Sequence, residues 1–522
     1  MDTLPEQTSR PSWWKWAIAL TASLGALLEI IDTSIVNVAL RDMQATLGAT
    51  LSEIGWVVTG YAIANVIIIP LSAWLGDYFG KKTYFVFSLI GFVIASMLCG
   101  MSTSLPMLIA ARVLQGLTGG GLLAKAQSII FETFPKEEQG MAQAIFGLGV
   151  IVGPALGPTL GGYITDNIGW RWIFFINLPV GMLAVLAATI FLNKDKPNPH
   201  MDRRVDWWGI FLLTLGLGAL QVMLEEGQQD DWFQSPFIVA MAVLSVIGLT
   251  LFIWQELTSE NPAVNLRVLH HRSLIAGSLL SMLLGMGLYG ALFAIPIFSQ
   301  TILNFTATNT GLLLLPGSLA SGATMMFVGR VSRRIDSRIL IAIGSIMMSL
   351  TMFNLSTINP MTSADTLFWP LMFRGIGTVL MYLPLSLATF APIPRQDAPA
   401  ATGFYNLTRQ IGGSLGIAFL TTFIAQRENL HRSHLVENIT LYNPVARQQV
   451  QGLTAAFQQH GASLDIAQKQ AYGVISNMID LQGGIISYED IFYIVGIAFL
   501  VALPLLLLLG KGGKDKAPAD LH

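Results

Sequence analysis

Fourteen apolar stretches, each close to the length of a bilayer-crossing helix, leave this chain few ways to fold. They lie at roughly 16–39, 54–75, 84–102, 106–131, 140–163, 171–192, 208–225, 236–256, 272–300, 308–329, 338–358, 366–391, 402–426 and 488–509. A helix needs about 20 mostly apolar residues to cross the hydrocarbon core. In lipid the backbone must satisfy its own hydrogen bonds, which selects helices for runs of this kind. Only 11% of the 522 residues are charged, against about 25% in soluble domains. An all-α polytopic membrane protein follows. A net charge of −2 and the lack of a basic face argue against a nucleic-acid partner. The one cysteine, Cys99, excludes an intramolecular disulfide and reads as packing. Asp2 and Glu6 precede the first run, and no small-residue cleavage pattern follows it. We therefore expect a true span with Trp13, Trp14, Lys15 and Trp16 as its interfacial anchor.

Basic residues set the expected orientation. Lys81 and Lys82, Lys136, Lys194, Lys196, Arg203, Arg204, Arg267, Arg272, Arg330, Arg333, Arg334, Arg338, Arg395, Lys511, Lys514 and Lys516 all fall in even-numbered loops or tails. The short odd-numbered loops hold little beyond Arg41 and Arg171. By the positive-inside rule both termini are cytoplasmic.

The chain also repeats. Ala73-x3-Asp77-x2-Gly80-x-Lys82 follows the second span, and Gly329-x3-Arg333-x2-Asp336-x-Arg338 follows the tenth at the same offsets. Arg112 in the fourth span has a counterpart in Arg374 of the twelfth. The expected organisation is a tail (1–15), a six-helix bundle (16–192), a linker carrying two inserted helices (193–271), a second six-helix bundle (272–509) and a tail (510–522). Parallel repeats of this kind are a transporter architecture, with the site between them near the midplane. Within the second bundle, 427–487 is expected as a long extracytoplasmic loop. Pro444 can open a helix there. Leu464, Ala467, Ala471, Val474 and Met478 recur at helical spacing after Ser463. A helical hairpin resting on the outer face is the expectation.

Charges inside the spans point to function. Glu29 and Asp32 lie three apart on one face of the first helix. An ionised carboxylate near the bilayer centre costs at least about 2.5 kcal/mol, so such groups face water, find a partner or carry a proton. Arg112 sits about 10 Å into its helix from the outer end, and Asp32 about 24 Å from Trp16, so the two share a depth. A guanidinium beside Asp32 and the burial of the site would pull its protonation in opposite directions. Lys125 lies about 30 Å along its helix, where snorkelling to the cytoplasmic surface accounts for it. Gly149, Gly153, Gly157 and Gly161 form a smooth ridge for a neighbouring helix, and Pro154 and Pro158 favour a bend there. All seven histidines fall in loops or tails, which leaves carboxylates as proton carriers. No metal-ligand cluster is visible in the spans, and Gly76-x3-Gly80-Lys81-Lys82 has the wrong spacing for a P-loop. The chain is therefore not expected to be an enzyme.

Several segments resemble the major facilitator superfamily, in its fourteen-span drug:proton antiporter branch of EmrB/QacA type. They are Asp32-Thr33-Ser34-Ile35-Val36-Asn37, Leu75-Gly76-Asp77-Tyr78-Phe79-Gly80-Lys81-Lys82, Arg112-x2-Gln115-Gly116, Gly149-x3-Gly153-Pro154-x2-Gly157-x3-Gly161-Gly162, Gly169-Trp170-Arg171-Trp172-Ile173-Phe174-Phe175-Ile176-Asn177-Leu178-Pro179 and Asn406-x2-Arg409-Gln410-x-Gly412-Gly413. The resemblance implies a major facilitator fold with fourteen transmembrane helices, two six-helix bundles plus two inserted ones. It implies export of hydrophobic or amphiphilic drugs across a bacterial inner membrane, driven by the proton gradient with no cofactor. Asp32, Glu29 and Arg112 are the proton-coupling candidates. Asp77, Gly80, Lys81 and Lys82 are the loop-motif gating candidates. Asn37, Gln115, Tyr289, Arg374, Tyr382, Asn406 and Arg409 are cavity candidates, with Met282, Met286 and Met381 as adaptable apolar contacts. The outer segment is either a cap or, as the resemblance implies, a docking surface for a periplasmic adaptor leading to an outer-membrane channel. Two alternatives stay open. With four buried cations counted against two acids, the second reading is export of an anionic lipid, fatty acid or siderophore. The third is a non-transporting receptor or scaffold.

Overall fold

The computed structural model describes residues 11–193, 205–303, 305–332, 334–359, 362–437, 439–440 and 442–509, with Leu51, Tyr289, Ala291, Leu292, Phe293 and Ala307 described by their backbone alone. Residues 1–10 of the expected first tail, the whole expected last tail (510–522) with Lys511, Lys514 and Lys516, the basic stretch 194–204 and Arg333 lie outside this description. Among the described residues every regular element is helical. The α-helices are α1 Ser12–Leu47, α2 Leu51–Phe79, α3 Lys81–Gly100, α4 Leu105–Gly119, α5 Leu122–Thr133, α6 Lys136–Asn167, α7 Trp172–Phe175, α8 Asn177–Phe191, α9 Trp207–Glu226, α10 Pro236–Thr258, α11 Arg272–Thr301, α12 Ala307–Val331, α13 Ser337–Leu355, α14 Ala364–Phe390, α15 Ala398–Glu437, α16 Pro444–Gln459 and α17 Leu464–Val501.

Twelve spans, taken over these helices, are long and apolar enough to cross a membrane. The 30-residue α11 and the 40-residue α15 pack along each other. Capping residues stand where helices begin. Thr50 and Glu53 form a reciprocal capping box on α2. Asp206, Thr306, Asp336 and Ser363 each accept a backbone N–H at the start of α9, α12, α13 and α14. Gly80, at φ 89°, lets the chain pass from α2 straight into α3.

Two expected spans are interrupted. The fourth is two helices, α4 and α5, separated at Gly120 and Gly121. These glycines lie so close to α2 and α3 that a Cβ on Gly120 would fall 2.7 Å from the Asn65 Cα. The sixth is divided between α7 and α8 at Ile176.

Residues 427–487, expected as a loop carrying a helical hairpin, are largely helical. The segment is mostly helix continuous with the spans: α15 runs on to Glu437, and α17 begins at Leu464 and passes unbroken into the last span. Asn443 caps α16, which Pro444 opens as expected, and α16 packs on α17 with Ala467 and Ala471 buried. Arg432–Asp480 at 2.7 Å and His431–Asp490 at 2.9 Å tie the two extensions together. An uninterrupted helix keeps its own backbone satisfied, which is why no turn intervenes at the membrane surface.

The glycine ridge of α6 packs on α1. A Cβ on Gly153 would come 2.8 Å from Ile30, and one on Gly161 would come 2.7 Å from Ile35; one on Gly157 would overlap Ser34. The opposite side of α6 meets α12, where Gly140 and Gly329 approach backbone to backbone. The N-terminal part of α15 meets α2 at Gly403, Ile69 and Pro70. The pair α9 and α10 packs together, with α9 against both α2 and α15.

Candidate functional site

Asp32 is fully buried at the centre of a hydrogen-bond cluster drawn from α1, α2, α3, α4 and α8. Its Oδ2 accepts from Arg112 Nη1 at 2.5 Å, and its Oδ1 accepts from Gln115 Nε2 and Asn177 Nδ2, each at 2.9 Å. Arg112 also donates from Nη1 to Gln115 Oε1 at 2.7 Å and from Nε to the Val57 carbonyl at 3.2 Å. Its guanidinium carbon lies 4.2 Å from the Tyr61 ring centroid. Asn177 is held by Ser96 at 3.1 Å. Apolar Ile35, Val36, Val57, Leu108, Ile173 and Phe174 pack around this cluster. The depth match from the sequence thus becomes a direct bond.

Glu29 occupies a second, separate cluster. The break between α4 and α5 frees backbone donors at the start of α5, and Leu123 N–H reaches Glu29 Oε2 at 2.8 Å. A carboxylate at a helix N-terminus is favoured by the oriented peptide dipoles. Asn65 Nδ2 donates to Oε1 at 2.9 Å, and the same amide contacts the Tyr61 hydroxyl at 3.4 Å. Tyr61 therefore joins the two clusters, with its ring under Arg112 and its hydroxyl toward Asn65. The charge of Arg409 on α15 reaches Glu29 across the interface.

A third cluster links α5 to the C-terminal helices. Arg409 donates to Tyr382 Oη at 3.1 Å and to Asn406 Oδ1 at 2.7 Å. Asn406 donates to Gln127 Oε1 at 2.6 Å, and Gln127 donates to Ser386 at 3.0 Å. All of these side chains are buried, so the structure closes them on one another rather than around an open chamber. The Asn37 side chain is exposed and makes no hydrogen bond among the described residues. The Tyr289 side chain lies outside the described residues. Met286 and Met381 line an apolar cavity of about 90 Å³ among α11, α13, α14, α15 and α17, and Arg374 lines a smaller one beside α6.

The loop motif builds a charge cluster at the far end of α2. Lys81 pairs with Glu132 of α5, and Lys82 donates to the carbonyls of Thr189 and Leu192 at the end of α8, at 2.6 and 2.8 Å. Asp77 makes no direct bond among the described residues, and the charges of Lys125 and Lys81 act on it. Lys125 corrects the snorkelling expectation. It is 1% exposed, and its ammonium lies over Gly76, in space that only a glycine leaves open.

Sequence reading missed several partners. Asn177 stood inside a quoted motif without a role, and Asn65 and Gln127 carried no motif. The Gly119-Gly120-Gly121 run was the available signal for the broken helix that caps Glu29. The count of two buried acids was also low. Glu226 of α9 is buried and accepts from Thr59 at 2.9 Å, the buried Glu256 of α10 accepts from the Val264 N–H at 3.1 Å, and the half-buried Glu225 accepts from Gln221 at 2.8 Å. Their place at helix ends hid them from a search of span interiors. Among the described residues no group of His, Cys, Asp and Glu is arranged to hold a metal.

Residues 22–417 match the family described as Major Facilitator Superfamily. Multidrug export protein EmrB of Escherichia coli (strain K12) is 35% identical over 94% of this chain and 94% of that protein. Fatty acid resistance protein FarB of Neisseria gonorrhoeae is 31% identical over 97% and 98%. Among solved structures, the proton:xylose symporter XylE superposes with a TM-score of 0.61 at 14% identity, covering 95% of this chain and 96% of that one.

Proposed function

This chain belongs to the major facilitator superfamily and to the EmrB-like group within it, and we propose that it is a proton-coupled exporter of hydrophobic and amphiphilic compounds. We place it in the fourteen-span branch, in a bacterial inner membrane with both termini cytoplasmic. Two six-helix halves, up to residue 192 and from 272, would flank the inserted pair α9 and α10. The observation that carries the mechanism is the buried Asp32–Arg112 bond, backed by the Gln115 and Asn177 amides on Oδ1. A proton arriving on Asp32 cancels the charge that holds Arg112, so protonation weakens that bond. The ridge of α6 rests on the helix that carries Asp32, and its other side rests on α12. A shift of α1 on protonation is thereby transmitted to the contact between the halves. Glu29, capping the half-helix α5 and facing Arg409, is the second proton-coupling residue in this reading. The Lys81–Glu132 and Lys82 contacts, with Asp77, hold the cytoplasmic end in one of its two states.

The high identity to EmrB over nearly full length supports drugs as cargo, and the likeness to FarB supports fatty acids as a second class. The α15 and α17 extensions with α16 project from the bundle as a paired, charged surface. We assign them as the seat of a periplasmic adaptor that leads to an outer-membrane channel. Inverted vesicles with an acidified lumen test the transport reading. Addition of exported compounds should raise luminal pH only when the chain is present. An unchanged gradient across a panel of weak acids, lipophilic cations and neutral hydrophobes would refute it and favour a scaffold.

A further inference from the structure

The internal repeat preserves a cation and drops its counter-charge. Arg112 in the first half is answered by Asp32 on α1. Arg374, its counterpart on α14, is 8% exposed, and its guanidinium makes no hydrogen bond or ion pair with any described residue. No charged group among the described residues acts on it. The helices around it explain why. α11, α12 and α13 contain no Asp or Glu, and the one acid of α14, Asp365, is exposed in its first turn. Nine residues of helix separate it from Arg374, about 13 Å. A bare guanidinium in a low-dielectric interior costs several kcal/mol. Such a group persists where something other than the protein supplies the negative charge.

The surroundings are suited to that. Arg374 lines a cavity of about 20 Å³ between the halves, with Ala155 of α6 on one side and Ser318, Ser321, Gly375 and Thr378 on the other. The three hydroxyls already donate to backbone carbonyls of their own helices. They offer the site polarity without a competing charge. The volume suits about one water-sized group, and α6 supplies one of its walls.

We propose that Arg374 is a binding site for one monovalent anion, which takes the place in the second half that Asp32 fills in the first. The anion is the carboxylate head of a transported amphiphile or an inorganic halide. This rests on the exporter reading, because the ligand enters between the halves.

The test is equilibrium binding of radiolabelled decanoate, with decanol as the uncharged control, to the full-length protein in detergent. Arg374→Met should weaken decanoate about tenfold or more and leave decanol unchanged, while Arg374→Lys should retain most of the affinity. In a second arm, replacing sulfate by chloride at equal ionic strength should raise the melting temperature of the wild type and not of Arg374→Met if a halide fills the site. Decanoate affinity and chloride response that are both unchanged in a folded Arg374→Met protein would overturn the anion site. That result would leave the exporter reading standing. The exporter reading fails on a different observation, a wild-type protein that moves no protons with any compound.

Discussion

Asp32 and Arg112 meet at 2.5 Å with neither side chain measurably exposed to solvent, joining α1 to α4 at the heart of the first six spans. Removing one partner of a buried pair leaves an uncompensated charge, at a cost of about 3–5 kcal/mol. Arg112→Met is therefore expected to lower the melting temperature sharply. The double variant Asp32→Asn with Arg112→Met should recover part of the loss. Thermal unfolding of the three variants in one detergent checks this; additive losses would mean that the bond is not a coupled unit.

Glu29→Gln tests the half-helix cap. The amide keeps one oxygen but presents an N–H to the Leu123 N–H, so a charge-assisted bond of about 1.5–3 kcal/mol is lost. Lower stability and faster amide exchange at Leu123, with α4 unaffected, are the expected results.

The ridge of α6 makes a graded prediction. A Cβ on Gly149 has its nearest neighbour at 3.6 Å, so Gly149→Ala should be tolerated. Gly157 faces Ser34 with no such room, and Gly157→Val should abolish transport and reduce membrane abundance. Matched immunoblots and efflux assays of the two variants separate packing from a general intolerance of the helix.

Lys81 and Glu132 should behave differently from Asp32 and Arg112. Their side chains keep 30% and 19% exposure, and a pair in contact with water contributes no more than about 1 kcal/mol. Lys81→Gln is expected to leave the melting temperature nearly unchanged while altering efflux rate, because its role lies in the exchange between states.

Much of this was legible in the chain. Helix positions followed from apolar length, since lipid offers the backbone no alternative. The Asp32–Arg112 bond followed from matching depths along two helices. The ridge followed from four glycines at a spacing of four. What stayed hidden depended on contacts between helices far apart in sequence. Nothing in the spacing of Asn65, Gln127 or Asn177 announces a donor to Glu29, an acceptor for Asn406 or a donor to Asp32. Lys125 was misplaced because distance along a helix says nothing about whether Gly76 of a neighbour leaves room for an ammonium. The helical hairpin expected within 427–487 is built on the spans themselves, with α15 running on to Glu437 and α17 passing into the last span, a continuity that residue spacing alone does not announce.

Proton release from purified protein on addition of substrate tests the central claim most directly. In weakly buffered solution the wild type should acidify the medium when an exported compound binds, and Asp32→Asn should give no signal with the same compound still bound. Release by Asp32→Asn equal to that of the wild type would contradict the account and remove Asp32 from the coupling.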